Sequence, residues 1–215
     1  MARIVQAPGR KGSQKWLQHL VAHAPVCLQP PGLAPLHWLS PLAEDDHAEY
    51  RDGDFLIRLG LAHLVPGLAA FWPQGGPVWD GLARAGDQVV LVEAKSHLGE
   101  ARSSPCAARA PASRQRIATA FAQVQAGLGA AAGADWMRQF YQYANRLAHL
   151  WWLHRQGVQA HLMLLGFLGD AEMRGPAAAA AWQGLYAEAD AALGLRADHA
   201  LRPWVHHLHP DLRLN

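Results

Sequence analysis

The chain has 215 residues, of which 51% are hydrophobic and 17% charged, and its formal net charge is +2. That much apolar material excludes a disordered chain, and the length suits one domain spanning residues 1–215. The near-neutral charge excludes a polybasic nucleic-acid binder, so any such contact is local or the substrate is small.

Met1 to Lys15 carries no apolar core of a secretory signal. Gly12-Ser13 opens a helix with Trp16, Leu17, Leu20 and Val21 at helical spacing, and Pro25 ends it. Cys27 to Pro41 is proline-rich and reads as an extended connector. Cys27 and Cys106 are the two cysteines of the chain, too few for a disulfide framework or a four-cysteine zinc site. Glu44 to Leu61 begins as an acidic helix or loop and ends apolar. After the turn cluster Trp72-Pro73-Gln74-Gly75-Gly76-Pro77 comes a candidate strand over 78–83, then a turn at Gly86-Asp87. Gln88 to Lys95 is the clearest strand, rich in β-branched residues, and the two strands read as a hairpin.

Ser96 to Ala112 reads as a loop. Ser113 is placed to cap a helix reaching Leu128, and Asp135 to cap a longer one over 136–156 that Gly157 closes. Gln159 to Phe167 is a third strong strand, Pro176 to Leu193 an Ala-rich helix, and 204–208 a last short strand. The apolar runs near 147–153 and 161–168 fall far short of the roughly 20 residues a membrane helix needs. The expectation is a cytoplasmic α/β protein away from the membrane, a three-layer sandwich with helices flanking a mixed central sheet.

The chemistry centres on Asp80 to Lys95. Side chains alternate along a strand, so Glu93 and Lys95 share one side of theirs. A strand apolar on both faces is normally central and covered by helices, and charges at its end need a partner, a metal or solvent. If the hairpin pairs as expected, Asp80 sits near Glu93. Two close carboxylates repel until one is protonated or a cation intervenes. Mg²⁺ or Mn²⁺ suits such an oxygen site, with the Ala94 carbonyl as a further ligand. A metal there would acidify a water and neutralise a phosphoryl oxygen, while Lys95 orients or helps deprotonate the water. Those are the parts needed to hydrolyse a phosphodiester.

Asp80, followed across a turn by Val90-Leu91-Val92-Glu93-Ala94-Lys95, resembles the Asp…Glu-x-Lys signature of the PD-(D/E)XK nuclease superfamily. The resemblance implies a restriction-endonuclease-like core of order α-β-β-β-α-β. It also implies Asp80 and Glu93 as metal ligands, Lys95 as the catalytic lysine, and an acid from the first core helix, for which Glu49 is the candidate, with Asp54 and Asp46 behind it. Residues 72–80, 92–97 and 141–147 are similar to an uncharacterised bacterial branch of that superfamily. Pro77 does not adjoin Asp80, so the literal Pro-Asp is missing, and residues 113–128 lack the Gln-x-x-x-Tyr pattern of some branches. The implied partner is DNA or RNA, and proteins of this fold often form a homodimer. Two other readings stand beside a Mg²⁺-dependent nuclease. One is a catalytically inactive nuclease-fold binding module, which the weak net charge favours. The other is a hydrolase of a small phosphorylated substrate.

On the 136–156 helix, Phe140, Ala144, Leu147 and Trp151 form an apolar stripe. Gln142, Asn145, Arg146 and His149 fall opposite, as a polar edge reaching the substrate with Arg146 as anion contact, or as an ordinary solvent face. Ser96, His97 and Gln115 are weaker substrate-contact candidates. His19 and His23 have zinc-compatible spacing but no evident third ligand. His206, His207 and His209 form a short His tract whose alternation splits neighbours between faces, so strand and edge positions are preferred to a metal site. Trp72 and Trp79 flank the proposed site; core packing is the preferred reading over base stacking.

Overall fold

Alternating and continuous apolar runs at the strand positions build one five-stranded mixed sheet, described by a computed structural model over residues 2–214. Its strands are β2 (Leu36–Ser40), β4 (Gly81–Ala85), β5 (Gln88–Lys95), β6 (Ala160–Gly166) and β7 (Val205–Leu208), hydrogen-bonded in the order β2-β4-β5-β6-β7. Strand β4 runs antiparallel to both β2 and β5, while β5, β6 and β7 run parallel. Parallel neighbours need long crossovers, and helices supply them. Between β5 and β6 lie α4 (Leu98–Ala101), α5 (Pro111–Leu128) and α6 (Tyr141–Arg155); between β6 and β7 lies α7 (Ala179–Ala192).

The central strand β5 is buried on both sides, and its alternation sorts the core. Val89 and Leu91 face a large cluster with α5, α6 and α7, joined by α2 (Asp52–Arg58) and α3 (Val65–Phe71). Val90, Val92 and Ala94 face a smaller cluster built on Leu17, Leu20 and Val21 of α1 (Gly12–His23). The layering is compatible with a three-layer sandwich. Two short strands, β1 (Arg3–Ile4) and β3 (Glu49–Tyr50), pair antiparallel, and Tyr50 bridges to Trp79, so β3 lies alongside the segment that leads into β4. Among the described residues, no helix is long and apolar enough to cross a membrane.

Several elements differ from their expected form. The proline-rich connector contains β2: Pro35 and Pro41 bracket the strand rather than interrupt it, so no ladder N–H is lost. The helix expected from Ser113 starts at Pro111, where the fixed proline φ suits the first turn; Ser113 lies inside it. The helix expected from Trp136 starts at Tyr141, because Phe140 has a left-handed φ of 47° that a right-handed helix cannot include. Trp136 instead buries its ring and donates its indole N–H to the Leu193 carbonyl at 2.9 Å. The Ala-rich helix begins at Ala179 rather than Pro176.

Candidate active site

Register places the acids. Gly81 pairs with Val92 across the β4–β5 hairpin, so Asp80 lies opposite Glu93 and on the same face. Tyr50 bridges antiparallel to Trp79, which sets Glu49 beside Asp80 on the other flank. Three carboxylates, Glu49, Asp80 and Glu93, thus form a row across three adjacent strands. Directly opposed side chains on neighbouring strands have Cβ atoms about 5 Å apart. Lys95 follows Glu93 on the same face, opposite Gly166 of β6.

The contacts are dense. Asp80 Oδ2 accepts the Ala94 N–H at 2.7 Å. The N–H and C=O of a strand residue point to the same edge, so the Ala94 carbonyl also projects toward Asp80. Lys95 Nζ stands 2.5 Å from Glu93 Oε1 as an ion pair. Glu93 Oε2 accepts from Arg146 Nε at 2.7 Å, with Nη2 2.5 Å away. The same guanidinium donates to the Val78 carbonyl at 2.8 Å and to Asn145 Oδ1 at 2.7 Å, and it lies 4.9 Å over the Trp79 ring. Glu49 Oε2 accepts from Gln6 Nε2 at 2.8 Å.

These groups perturb one another. Burial, then the Glu93 charge, lifts the Asp80 carboxyl to about 7, against the pull of Lys95. Burial also raises Glu49, a shift that the Gln6 hydrogen bond opposes and Glu93 reinforces. Glu93 is as deeply buried, yet Arg146 and then Lys95 overcome the desolvation and hold it below the usual carboxylate range. Burial pulls the Lys95 ammonium down, but Glu93 and Asp80 more than offset this, and it stays charged at neutral pH.

Glu49 does not come from a helix, as expected; it lies on β3, and α2 begins three residues later. Asp46 instead pairs with Arg3, and Asp54 accepts the Ala2 N–H. The polar edge of α6 is not a solvent face either. Asn145, Arg146 and His149 are 5%, 5% and 1% exposed, because α6 is covered on its outer side by α2, α3 and α5. Arg146 is spent on Glu93 rather than turned outward. Gln142, at the exposed start of α6, does reach the site: with Lys95, Arg102, Ser103 and Ser104 it lines a cleft of about 480 Å³. Ser96 is fully buried; its N–H donates to Glu100 Oε2 at 2.8 Å, and its hydroxyl has no partner among the described residues. Gln115 is exposed on α5. Trp72 and Trp79 are core residues. His19 and His23 lie on the surface of α1 with ring centroids 4.9 Å apart and planes tilted by 48°.

The sequence reading missed Gln6. No pattern signals it, because it reaches Glu49 through pairing of β1 with β3, two-residue strands with no periodicity to detect. Among the described residues, no three His, Cys, Asp or Glu side chains meet as a metal cluster. The oxygen donors gathered here are two carboxylates and one carbonyl, with Glu49 alongside. No family model matches the chain, and neither a curated protein nor a solved structure is significantly similar to it.

Proposed function

We propose that the protein is a Mg²⁺- or Mn²⁺-dependent phosphodiester hydrolase of PD-(D/E)XK type, acting on nucleic acid. The observation that carries this reading is the row Glu49–Asp80–Glu93, closed by Lys95 at the end of the central strand. The element order supports it too. A leading helix, three neighbouring strands paired antiparallel (β2, β4, β5, with β3, α2 and α3 inserted before β4), a helical crossover and a parallel strand are compatible with the α-β-β-β-α-β order of a restriction-endonuclease-like core.

The donor chemistry fits a hard cation. Mg²⁺ is commonly held by one or two carboxylates, keeping waters on its other positions. Asp80, Glu93 and the Ala94 carbonyl would hold it. Burial, and after it the nearby Glu93 charge, lifts the Asp80 carboxyl to about 7, and a bound cation would relieve both by favouring the ionised carboxylate. When bound, the ion supplies charge neutralisation at a phosphoryl oxygen and acidifies a water. The rest falls to this chain. Lys95, held as an ammonium, donates hydrogen bonds: it orients the attacking water and stabilises charge on the phosphoryl oxygen, and it takes up no proton. Arg146 acts through Glu93, fixing the carboxylate by two-point contact. The cleft at Lys95 and Gln142 gives the scissile phosphate its approach.

The test is cleavage of end-labelled single- and double-stranded DNA and RNA under Mg²⁺ and Mn²⁺. Cleavage that Glu93→Gln and Lys95→Ala each abolish supports the reading; no cleavage of any of the four with either metal refutes it. One observation favours a second reading, a binding module of the same fold without turnover: Glu93 already has two cationic partners, Arg146 and Lys95. That module would retain nucleic-acid binding and show no metal-dependent turnover.

A further inference from the structure

Beyond the acid row, the same sheet face continues through Leu164 of β6 to His207 of β7, the register partner of Leu164. There a cavity of about 660 Å³ opens between α7 and β7. Its size falls within the range of small-molecule sites. Tyr186 forms a wall between it and the Glu93–Lys95 site, lining both.

The lining is chemically specific. Arg202 is exposed at the cavity and has no carboxylate partner among the described residues, where the one polar contact of its guanidinium is Nη1 to His207 Nε2 at 3.3 Å. An arginine only donates, so that histidine nitrogen accepts and the remaining guanidinium donors stay available. Asp190 lines the cavity half-buried. The Tyr143 hydroxyl donates to its Oδ1 at 2.9 Å, which leaves Oδ2 without a protein donor among the described residues. Arg202 and Asp190 share the cavity without forming an ion pair. Tyr186 and His207 pack edge to face at 4.7 Å, and Leu195 adds an apolar surface.

An unneutralised cation, a free carboxylate oxygen and an aromatic pair in one cavity match an anion, a hydroxyl and a flat ring in one ligand. We propose that this cavity binds a nucleoside monophosphate unit, its phosphate on Arg202, a sugar hydroxyl on Asp190, and its base against Tyr186 and His207. The cavity's size favours this over inorganic phosphate alone. The unit is either a free mononucleotide or the terminal nucleotide of a strand.

Titration calorimetry on the full chain tests this with adenosine monophosphate, uridine monophosphate, adenosine, inorganic phosphate and a 5′-phosphorylated oligonucleotide. The mononucleotides bind one per chain, and adenosine and phosphate each bind at least about 10-fold more weakly, since adenosine lacks the phosphate and inorganic phosphate lacks the hydroxyl and the base. Arg202→Gln weakens mononucleotide binding by about 10-fold and leaves adenosine unchanged. Arg202 is exposed, so the variant keeps its fold, and an unchanged thermal midpoint verifies that. Glu93→Gln leaves nucleotide binding intact, which separates this site from the proposed hydrolytic one. If Arg202→Gln also weakens the oligonucleotide, the strand terminus is the source; if it does not, the free nucleotide is. Absence of mononucleotide binding, phosphate binding as tight as the nucleotide, or indifference to Arg202→Gln overturns the proposal.

Discussion

Replacing Arg146 with methionine keeps an unbranched stem but deletes the guanidinium, its charge and its donors. In the native protein, the Arg146 and Glu93 side chains are 6% and 5% exposed, and they meet through two nitrogens and one carboxylate oxygen. Removing one partner of so buried a pair costs roughly 3–5 kcal/mol, because the other charge stays behind uncompensated. The Val78 carbonyl and Asn145 Oδ1 also lose their donor. Two effects limit the loss: Lys95 still faces Oε1, and Glu93 can take up a proton, at about 1.4 kcal/mol for each unit by which the ambient pH exceeds the ordinary carboxylate pKa. A destabilisation of about 3–4 kcal/mol is expected, a large part of the ~5–15 kcal/mol that typically holds a domain folded. Urea unfolding of the wild type, Arg146→Met, Glu93→Gln and the double variant reads it directly, with unchanged slopes reporting unchanged exposed area. In the double variant no unpaired carboxylate remains, so its cost falls below the sum of the singles by about 1–3 kcal/mol. A single-variant cost below about 1 kcal/mol, or strict additivity in the cycle, would show that Glu93 does not depend on Arg146.

His149 is fully buried among aromatic rings and its pKa falls to about 3, because burial disfavours the imidazolium. Its unfolded value is near 6.5, so between the two the unfolded chain binds more protons and stability drops on acidification, by about 1.4 kcal/mol per pH unit from this site. Urea midpoints from pH 7 to pH 4 should fall less steeply in His149→Phe; an identical slope counts against the assignment. Leu91→Ala removes a fully buried β5 side chain and should cost about 2–5 kcal/mol in the same assay. A Cβ added at Gly166, opposite Lys95, would meet the Trp182 ring at 2.5 Å. Gly166→Ala should therefore destabilise by about 1–3 kcal/mol and shift tryptophan emission, whereas a neutral change would show that the ring moves freely.

The strand from Gln88 to Lys95 was legible because its β-branched run is bounded by a Gly-Asp turn, and it emerges with those ends. Its hairpin partner was legible too, displaced by two to three residues, since pairing and not composition sets where a strand begins. That register alone brings Asp80 onto the face of Glu93. What stayed hidden depends on tertiary contacts. Glu49 reaches the acid row through a two-residue strand, and Asp52, where α2 begins, has a left-handed φ of 50°. Arg146 shows the limit most clearly. At helical spacing it falls on a polar face, and polar faces ordinarily meet water. Here that face meets the charged end of the central strand and a layer of further helices, and no local pattern encodes what covers it.

The account rests on Asp80 and Glu93 sharing one cation, and Mn²⁺ titration followed by electron paramagnetic resonance measures that most directly. One Mn²⁺ should bind per wild-type chain, compete with Mg²⁺, and be lost in both Asp80→Asn and Glu93→Gln. Binding that persists in both variants, or none in the wild type, would contradict it.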